Sequence, residues 1–297
     1  MSLKPSPGWT LLELVVALVI FGVVAGLGAG AVASEQRTAR AAARVRAMRA
    51  ELRDATGVLA QEIRGASPAS DTLRLAADTA VEFFTPLLTA ITCAPGSGSR
   101  LLLVPPLNSS AMQPAVGPQP DTGDLAWIWE EDSVRTPGTW RRWRIAGYAS
   151  DVPENCSVAL APLVGQPRVL TVAGDAGMVP AGAPVQVVRR GRYSIYRASD
   201  GDWYLGYRRC DALGPSRCQA VQPVAGPYRA RVNGTAGIQF RYFGETGNEL
   251  TGMAAVTATW RVDVVLRSDT NLSTIVARRS GALDDSVVMT VGLRNAR

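Results

Sequence analysis

The chain of 297 residues contains no histidine and a single lysine, Lys4. The commonest general acid–base group and the commonest metal ligand are therefore both missing. No GxSxG, P-loop or Gly-rich dinucleotide motif is present. These absences argue against an enzyme and against a zinc site, and a catalytic carboxylate pair is the one enzymatic hypothesis left open. We expect no catalytic residue, cofactor, bound metal or small-molecule substrate.

One long apolar run dominates the N-terminal region. From Leu14 to Ala33 there are 20 residues without a charge, and as a helix they would span the roughly 30 Å of a bilayer core. A single acid, Glu13, stands at the head of this run. A carboxylate at the edge of hydrocarbon is costly unless it is paired, so its position indicates a function and a partner. The segment predicts one membrane-spanning helix with a functional acid at its start.

The residues before this run carry a recognisable signal. A secretory signal places its small-residue cleavage site after the apolar region, whereas here Gly8 lies before it. The string from Gly8 to Leu14, GWTLLEL, resembles the processing signal of type IV prepilins and type II secretion pseudopilins. The resemblance implies that a prepilin peptidase removes a leader of residues 1–8 and methylates the amino group of Trp9. It also implies that Glu13 pairs with the amino terminus of another subunit during assembly.

Two departures from the family pattern refine this interpretation. Trp9 replaces the usual phenylalanine, and the proline that major pilins tend to carry in the helix is missing. The missing proline favours a minor subunit. Because Lys4 lies in the predicted leader, the amino terminus of Trp9 would be the only amine after cleavage. The implied partners are prepilin peptidase, other major and minor pilins or pseudopilins, and inner-membrane lipid.

Helical periodicity extends beyond the membrane run. Within the run, Gly22, Gly26 and Gly30 recur every four residues, a spacing that lets helices approach closely in lipid. The alternative is that these glycines only make the helix locally flexible. Beyond the run, one apolar stripe follows helical spacing and comprises Val45, Met48, Leu52, Leu59 and Ile63. We predict one helix over residues 9–65, transmembrane over 14–33 and an amphipathic spine over 34–64.

From residue 66 onward, short apolar stretches alternate with Gly, Pro, Asn and Asp. Six stretches are predicted as strands: 184–190, 193–198, 203–209, 237–243, 260–267 and 287–293. Turn residues at 199–202 and at 245–248 indicate hairpins, and the proline-rich stretch 105–124 predicts a long exposed loop. The predicted fold is α+β and pilin-like, with a long N-terminal helix followed by a large, mainly antiparallel β domain over 66–297.

This layout resembles the larger minor pilins and pseudopilins of the PilW/GspJ type, as do the segments 240–244 and 291–295. The resemblance implies a structural subunit in the initiation or tip complex of a type IV pilus or a secretion pseudopilus. It also implies a single-pass protein of the bacterial inner membrane, with the β domain in the periplasm or outside. Six arginines between positions 37 and 53 oppose this topology by the positive-inside rule, but long domains translocate largely regardless of charge.

Four cysteines lie beyond the membrane run: Cys93, Cys156, Cys210 and Cys218. An even number is compatible with disulfides in an oxidising compartment. Of the three connectivities we favour Cys93 with Cys156 and Cys210 with Cys218, the second of which closes a small loop. The alternative is four reduced, buried cysteines.

Two other patterns suggest binding functions. Residues 140–148 interleave tryptophan with arginine, as in surfaces that stack on nucleic acid, but the same stretch alternates as a strand and we favour that structural interpretation. Five acids are candidate calcium ligands: Asp121, Asp124, Glu130, Glu131 and Asp132. Their spacing matches no EF-hand loop, and solvated loop acids are the favoured interpretation. The alternative overall function is a membrane-anchored surface, adhesion or DNA-binding protein that never enters a filament.

Overall fold

A computed structural model describes the chain over residues 10–66, 73–104, 119–130, 138–149, 156, 167–214, 217–230, 236–267 and 286–293. In the described residues the elements are α1 (Leu11–Arg64), β1 (Leu75–Ala77), β2 (Ala80–Ile91), β3 (Arg100–Leu103), β4 (Leu125–Glu130), β5 (Thr139–Ala149), β6 (Arg168–Val172), β7 (Pro184–Arg197), β8 (Trp203–Arg209), β9 (Gln222–Tyr228), β10 (Ile238–Phe243), β11 (Glu249–Leu250), α2 (Gly252–Thr257), β12 (Arg261–Arg267) and β13 (Ser286–Gly292). The chain divides into two compact units, one of residues 1–51 and 270–284 and the other of residues 52–269 and 285–297.

In the first unit the described residues are 10–51, which are helical from Leu11 onward. The large apolar side chains between Leu11 and Val32 are 47% to 84% exposed. An 18-residue window of this helix has a mean hydropathy of 2.6 and no buried residue. A continuous apolar surface of this size marks a membrane or protein contact in soluble proteins. By length and composition, α1 can therefore cross a membrane, as the sequence predicts.

In the second unit, the last four turns of α1 form one side of a hydrophobic core, here called the helix core. Leu52, Leu59 and Ile63 are buried there, as the apolar stripe predicts, and Ala55 extends the same face. Side chains from both sheets complete the helix core: Val81, Phe83, Tyr193, Leu205, Phe240, Val264 and Val291. Burying one such aliphatic side chain contributes about 1.5 to 3 kcal/mol, so packing rather than propensity holds this part of the helix.

Part of the larger sheet closes into a small barrel. Its strand order is β1-β2-β7-β4-β5-β6-β3, with β8 on β7 and β9 on β8. β3 returns to the end of β2, because the Val104 N–H donates to the Ile91 carbonyl at 3.0 Å and the Cys93 N–H donates to the Leu102 carbonyl at 2.6 Å. A second core fills the barrel and includes Leu101, Leu103, Ile128, Ile145, Leu170, Val185 and Val187. Closure leaves these strands without an open edge.

β7 corrects one prediction, because Pro184–Arg197 is one strand of 14 residues rather than the two strands predicted at 184–190 and 193–198. Its first half pairs with β4 and its second half pairs with β8. β2 pairs with the other edge of β7, and this pairing continues across the predicted break. The predicted break covers Gly191 and Arg192, and a Cβ on Gly191 would lie 2.6 Å from the Tyr207 ring. Gly191 therefore makes room for an aromatic ring in a continuous strand.

The smaller sheet follows the predicted pattern more closely. Its order is β11-β10-β12-β13, and Val262, Val264 and Leu266 of β12 are buried. The turn after β10 is closed by the Gly244 N–H, which donates to the Asn248 carbonyl at 2.9 Å. All strand pairs of the described residues are antiparallel, which confirms a long helix followed by a mainly antiparallel β domain. The predicted loop at 105–124 lies outside the described residues up to 118.

One acid at the end of α1 is placed against the helix core. Glu62 accepts a hydrogen bond from the Thr85 hydroxyl of β2 at 3.0 Å. Burial raises the pKa of Glu62 above its ordinary value, and the Thr85 bond offsets only part of this effect. The proximity of Glu62 also contributes to the raised pKa values of Tyr193 and Tyr207, although burial is the main cause for both. Glu62 is therefore an ionisable group in a partly apolar site.

This environment predicts a pH-dependent effect of Glu62→Gln. A raised carboxyl pKa means that the folded state keeps a proton that the unfolded state releases, so the free energy of unfolding falls as pH rises above the ordinary value of 4.5. Glutamine keeps an acceptor for Thr85 but does not ionise. We expect the variant to gain stability relative to the parent as pH rises above 4.5, measured by urea unfolding followed through tryptophan fluorescence.

Glu249→Gln supplies a control of opposite sign. The hydrogen bond from Arg241 lowers the pKa of Glu249, so its charge favours the folded state above the ordinary pKa and this contribution disappears as pH falls. The Glu249 variant should lose stability relative to the parent as pH rises towards 4.5 from below, and the difference should then stay constant at higher pH. If the two variants shift in the same direction, the burial argument for Glu62 is wrong.

Candidate functional site

The start of α1 forms a reciprocal cap between Thr10 and Glu13. The Glu13 backbone N–H donates to the Thr10 hydroxyl at 3.4 Å. In return, Glu13 Oε2 accepts from the Thr10 backbone N–H at 3.0 Å and from its hydroxyl at 3.2 Å. This is a capping box, in which two free donors of the helix start are satisfied at once. The Thr-x-x-Glu signature at positions 10–13 encodes this cap, which is not among the features predicted above from the sequence.

The cap does not neutralise the Glu13 carboxylate. Both donors from Thr10 are uncharged, and within the part of the chain that the structure describes no basic side chain pairs with Glu13. A negative charge in the first turn is favourable by about 0.3 to 1 kcal/mol because of the helix dipole. Gly8 and Trp9, the predicted processing residues, lie outside the described residues. Within the described residues, Glu13 therefore has no cationic partner and lies at the head of an exposed apolar surface.

The glycines of the membrane run have no structural explanation within one chain. A Cβ added to Gly22, Gly26 or Gly30 would meet no atom within 4 Å. The same is true of Gly28. A small side chain at these positions therefore relieves no contact within one copy of the described chain. The predicted role in packing against other helices stays a prediction.

The four cysteines pair in the connectivity that the sequence favoured. Cys93 bonds to Cys156, and Cys210 bonds to Cys218. The second disulfide links two backbone segments, residues 209–214 and 217–219, here together called the disulfide loop. Across this loop the Asp211 N–H donates to the Arg217 carbonyl at 2.8 Å, and the Gln219 N–H donates to the Arg209 carbonyl at 2.8 Å.

A buried ion cluster lies beneath the disulfide loop. Glu82 of β2 is 0% exposed and pairs with Arg190 and Arg192 of β7, the latter at 2.7 Å. Arg190 also donates to the carbonyl groups of Asp211 at 2.8 Å and Gly214 at 3.1 Å. The cluster thus holds two strands and the disulfide loop together. Because both arginines bind the carboxylate, the charge of Glu82 is compensated inside the protein.

The same region brings Glu82 close to Cys210 and Cys218, with the potential ligand atoms all within 4.8 Å of one another. Metal ions bind cysteine as the thiolate, and here both sulfurs belong to a disulfide. The Glu82 carboxylate is already bound by Arg190 and Arg192. The arrangement is therefore a structural cluster and does not offer the donor set of a metal site.

A second ion cluster accounts for two of the acids considered as calcium ligands. Asp124 is 1% exposed and accepts from Arg189 at 2.8 and 3.0 Å and from Arg209 at 3.0 Å. Asp121 pairs with Arg209 at 2.6 Å, and this hydrogen bond lowers the pKa of Asp121. Burial opposes the charge of Arg189, but its bonds to Asp124 outweigh burial and raise its pKa. These acids face arginines rather than an open cavity.

A third candidate ligand, Glu130, pairs with Arg141 at 2.8 Å. The other two predicted acids, Glu131 and Asp132, lie outside the described residues.

Contacts inside the protein also account for the alternation of tryptophan and arginine in β5. Trp140 meets Trp129 edge to face, with ring centroids 5.4 Å apart. The guanidinium of Arg142 lies 5.6 Å from the centre of the Trp127 ring. These are ordinary cross-strand pairs of β4 and β5. Trp140 is still 38% exposed, and binding of nucleic acid stays the less favoured hypothesis.

Comparison of the chain with protein-family models, with curated proteins and with solved structures finds no match. The function is therefore argued from the chemistry of the residues. Three features bear on it: an acid without a basic partner among the described residues at the start of an exposed apolar helix, a β domain with arginine–carboxylate clusters, and two disulfides.

The buried cluster predicts an unequal effect for two Glu→Gln changes. Glu82→Gln removes one negative charge and leaves Arg190, which is buried, without full compensation, so we expect a loss of roughly 3 to 5 kcal/mol in the free energy of unfolding. Glu249→Gln breaks the Arg241–Glu249 pair, whose side chains are 44% and 46% exposed, and should cost about 0 to 1 kcal/mol. Urea unfolding of the two variants measures both values. Equal losses would contradict the role assigned to Glu82.

Proposed function

We propose that this chain is a minor pilin or pseudopilin, a non-enzymatic subunit of the initiation or tip complex of a type IV pilus or a type II secretion pseudopilus. It is inserted in the inner membrane, cleaved after Gly8, methylated at Trp9 and then built into a filament. The observation that carries the proposal is the Glu13 carboxylate, which has no basic partner among the described residues and stands at the head of an exposed apolar helix.

The electrostatic step concerns the partner of Glu13. A carboxylate in hydrocarbon requires a cation, and breaking a buried ion pair costs roughly 3 to 5 kcal/mol. After cleavage the amino terminus of Trp9 is the only amine in the chain, because the single lysine lies in the leader. A methylated amine keeps its positive charge. The ammonium of one subunit and Glu13 of the next therefore compensate each other in the filament.

The packing step concerns the apolar surface of α1. Lipid covers this surface in the membrane, and neighbouring helices cover it in the filament. Gly22, Gly26 and Gly30 have open space around them, which supports close approach of another helix. The last turns of the same helix, with Leu59 and Ile63, belong to the helix core. Assembly through α1 thus carries the β domain with it.

One observation favours the second candidate, a membrane-anchored surface protein that stays outside filaments. The capping box gives Glu13 a role at the helix start that requires no partner. In that case the chain needs neither cleavage nor methylation. The two functions differ in the chemistry of the amino terminus and in the requirement for a charge at position 13.

The first test is mass spectrometry of the native chain purified from membranes and from sheared filaments. We expect a mature chain that begins at N-methylated Trp9 and lacks residues 1–8. A Gly8→Glu variant, which removes the small residue before the cut, should retain the leader and be absent from filaments. A native chain that keeps its leader while working normally would refute the filament proposal.

The second test separates charge from capping at position 13. Glu13→Gln keeps an acceptor for the Thr10 N–H but removes the charge, and we expect normal processing with incorporation reduced at least about tenfold. Thr10→Val removes the hydroxyl of the cap but keeps the charge, so it should cost only about 1 kcal/mol of helix stability and leave incorporation near the parent level.

Immunoblots of sheared filaments against membranes measure incorporation of both variants, with mass spectrometry as the control for processing. If the Glu13→Gln variant is incorporated normally and the Thr10→Val variant is not, the role of Glu13 is helix capping. This result would support the anchored-protein alternative.

A further inference from the structure

A pocket of about 290 Å³ lies between the turn before β4 and the disulfide loop. Its lining residues are Thr122, Gly123, Arg144, Arg209, Cys210, Asp211, Arg217, Cys218 and Gln219. Three of these carry a positive charge and one carries a negative charge. The pocket belongs entirely to the second unit and involves neither α1 nor the residues of the assembly proposal.

Two of the three arginines are held in place by carboxylates. Arg144 pairs with Asp211. Arg209 pairs with Asp121 at 2.6 Å and with Asp124 at 3.0 Å, and it also donates to the Thr122 carbonyl at 2.6 Å. These bonds fix the two guanidinium groups as walls of the pocket. Because ion pairs orient both guanidinium groups before a ligand binds, binding loses little side-chain conformational entropy.

The third arginine carries the uncompensated charge. Arg217 is exposed, and it forms no ion pair with the described residues. Its backbone is nevertheless fixed, since its carbonyl accepts from the Asp211 N–H at 2.8 Å and the adjacent Cys218 is bonded to Cys210. Gln219, on the same rim, adds a neutral amide donor. Among the described residues, this side of the pocket thus presents a guanidinium without an ion-pair partner on a loop that a disulfide closes.

We propose that this pocket binds an oxyanion, either free phosphate or the carboxylate of an acidic peptide, with Arg217 as the principal cationic ligand. The guanidinium group forms paired hydrogen bonds with phosphate and carboxylate oxygens, which matches the donors of this pocket. Its volume lies just below the range of about 300 to 1,000 Å³ that holds drug-sized ligands. A small anionic group fits this space.

Isothermal titration calorimetry on the full chain in non-ionic detergent tests the proposal. One arm uses inorganic phosphate and the other an acetylated peptide that ends in Glu-Glu, with chloride used to hold ionic strength constant. We expect saturable binding in at least one arm and at least a tenfold weaker affinity for Arg217→Gln. Arg217→Lys, which keeps the charge but loses the planar fork, should bind with intermediate affinity.

Arg46→Gln is the matched control, because Arg46 is also exposed and the change in net charge is identical. It should bind as the parent does. Binding of phosphate alone identifies a free anion, and tighter binding of the peptide identifies a carboxylate; either result supports the site. Absence of saturable binding, or an equal loss in the Arg46 and Arg217 variants, overturns it. The calorimetric titrations do not depend on filament assembly. A negative result for anion binding therefore leaves the proposed function standing.

Discussion

Helix α1 has to satisfy two different environments with one continuous backbone, and this constraint shapes the protein. Over its first half the side chains are apolar on all sides and exposed, so they require lipid or other helices. Over its last turns only one stripe is apolar, and Leu52, Leu59 and Ile63 pack into the helix core. The same element is thus long and apolar enough to cross a membrane at one end and is a structural part of the β domain at the other.

The β domain uses arginine wherever it buries an acid. Glu82 and Asp124 are almost fully buried, and each is bound by two arginines from neighbouring strands. A planar guanidinium donates several hydrogen bonds in fixed directions, so one arginine can bind a carboxylate and a backbone carbonyl together. Arg190 does this with Glu82 and with the disulfide loop. The near absence of lysine in the sequence is consistent with this use of basic residues.

Glu13 illustrates how one acid fits two explanations at once. The capping box satisfies donors at the helix start, and an ionised carboxylate in lipid needs a cation. The two roles are compatible, because the cap uses hydrogen bonds while the proposed assembly uses charge. The sequence motif therefore contains local helix chemistry in addition to the resemblance to a processing signal.

The sequence by itself determined the features that depend on local periodicity. Residue spacing and turn chemistry predict the long helix and its end at Arg64. They also predict the hairpins around 199–202 and 245–248 and the alternation of buried and less buried residues along β12. Tertiary structure alone decided the rest. Gly191 becomes part of a continuous β7 because β2 pairs across it, and Glu82, Arg190 and Asp211 meet although they are far apart in the chain. Such contacts depend on strand order and on which charges are desolvated together, and neither is encoded in the spacing of neighbouring residues.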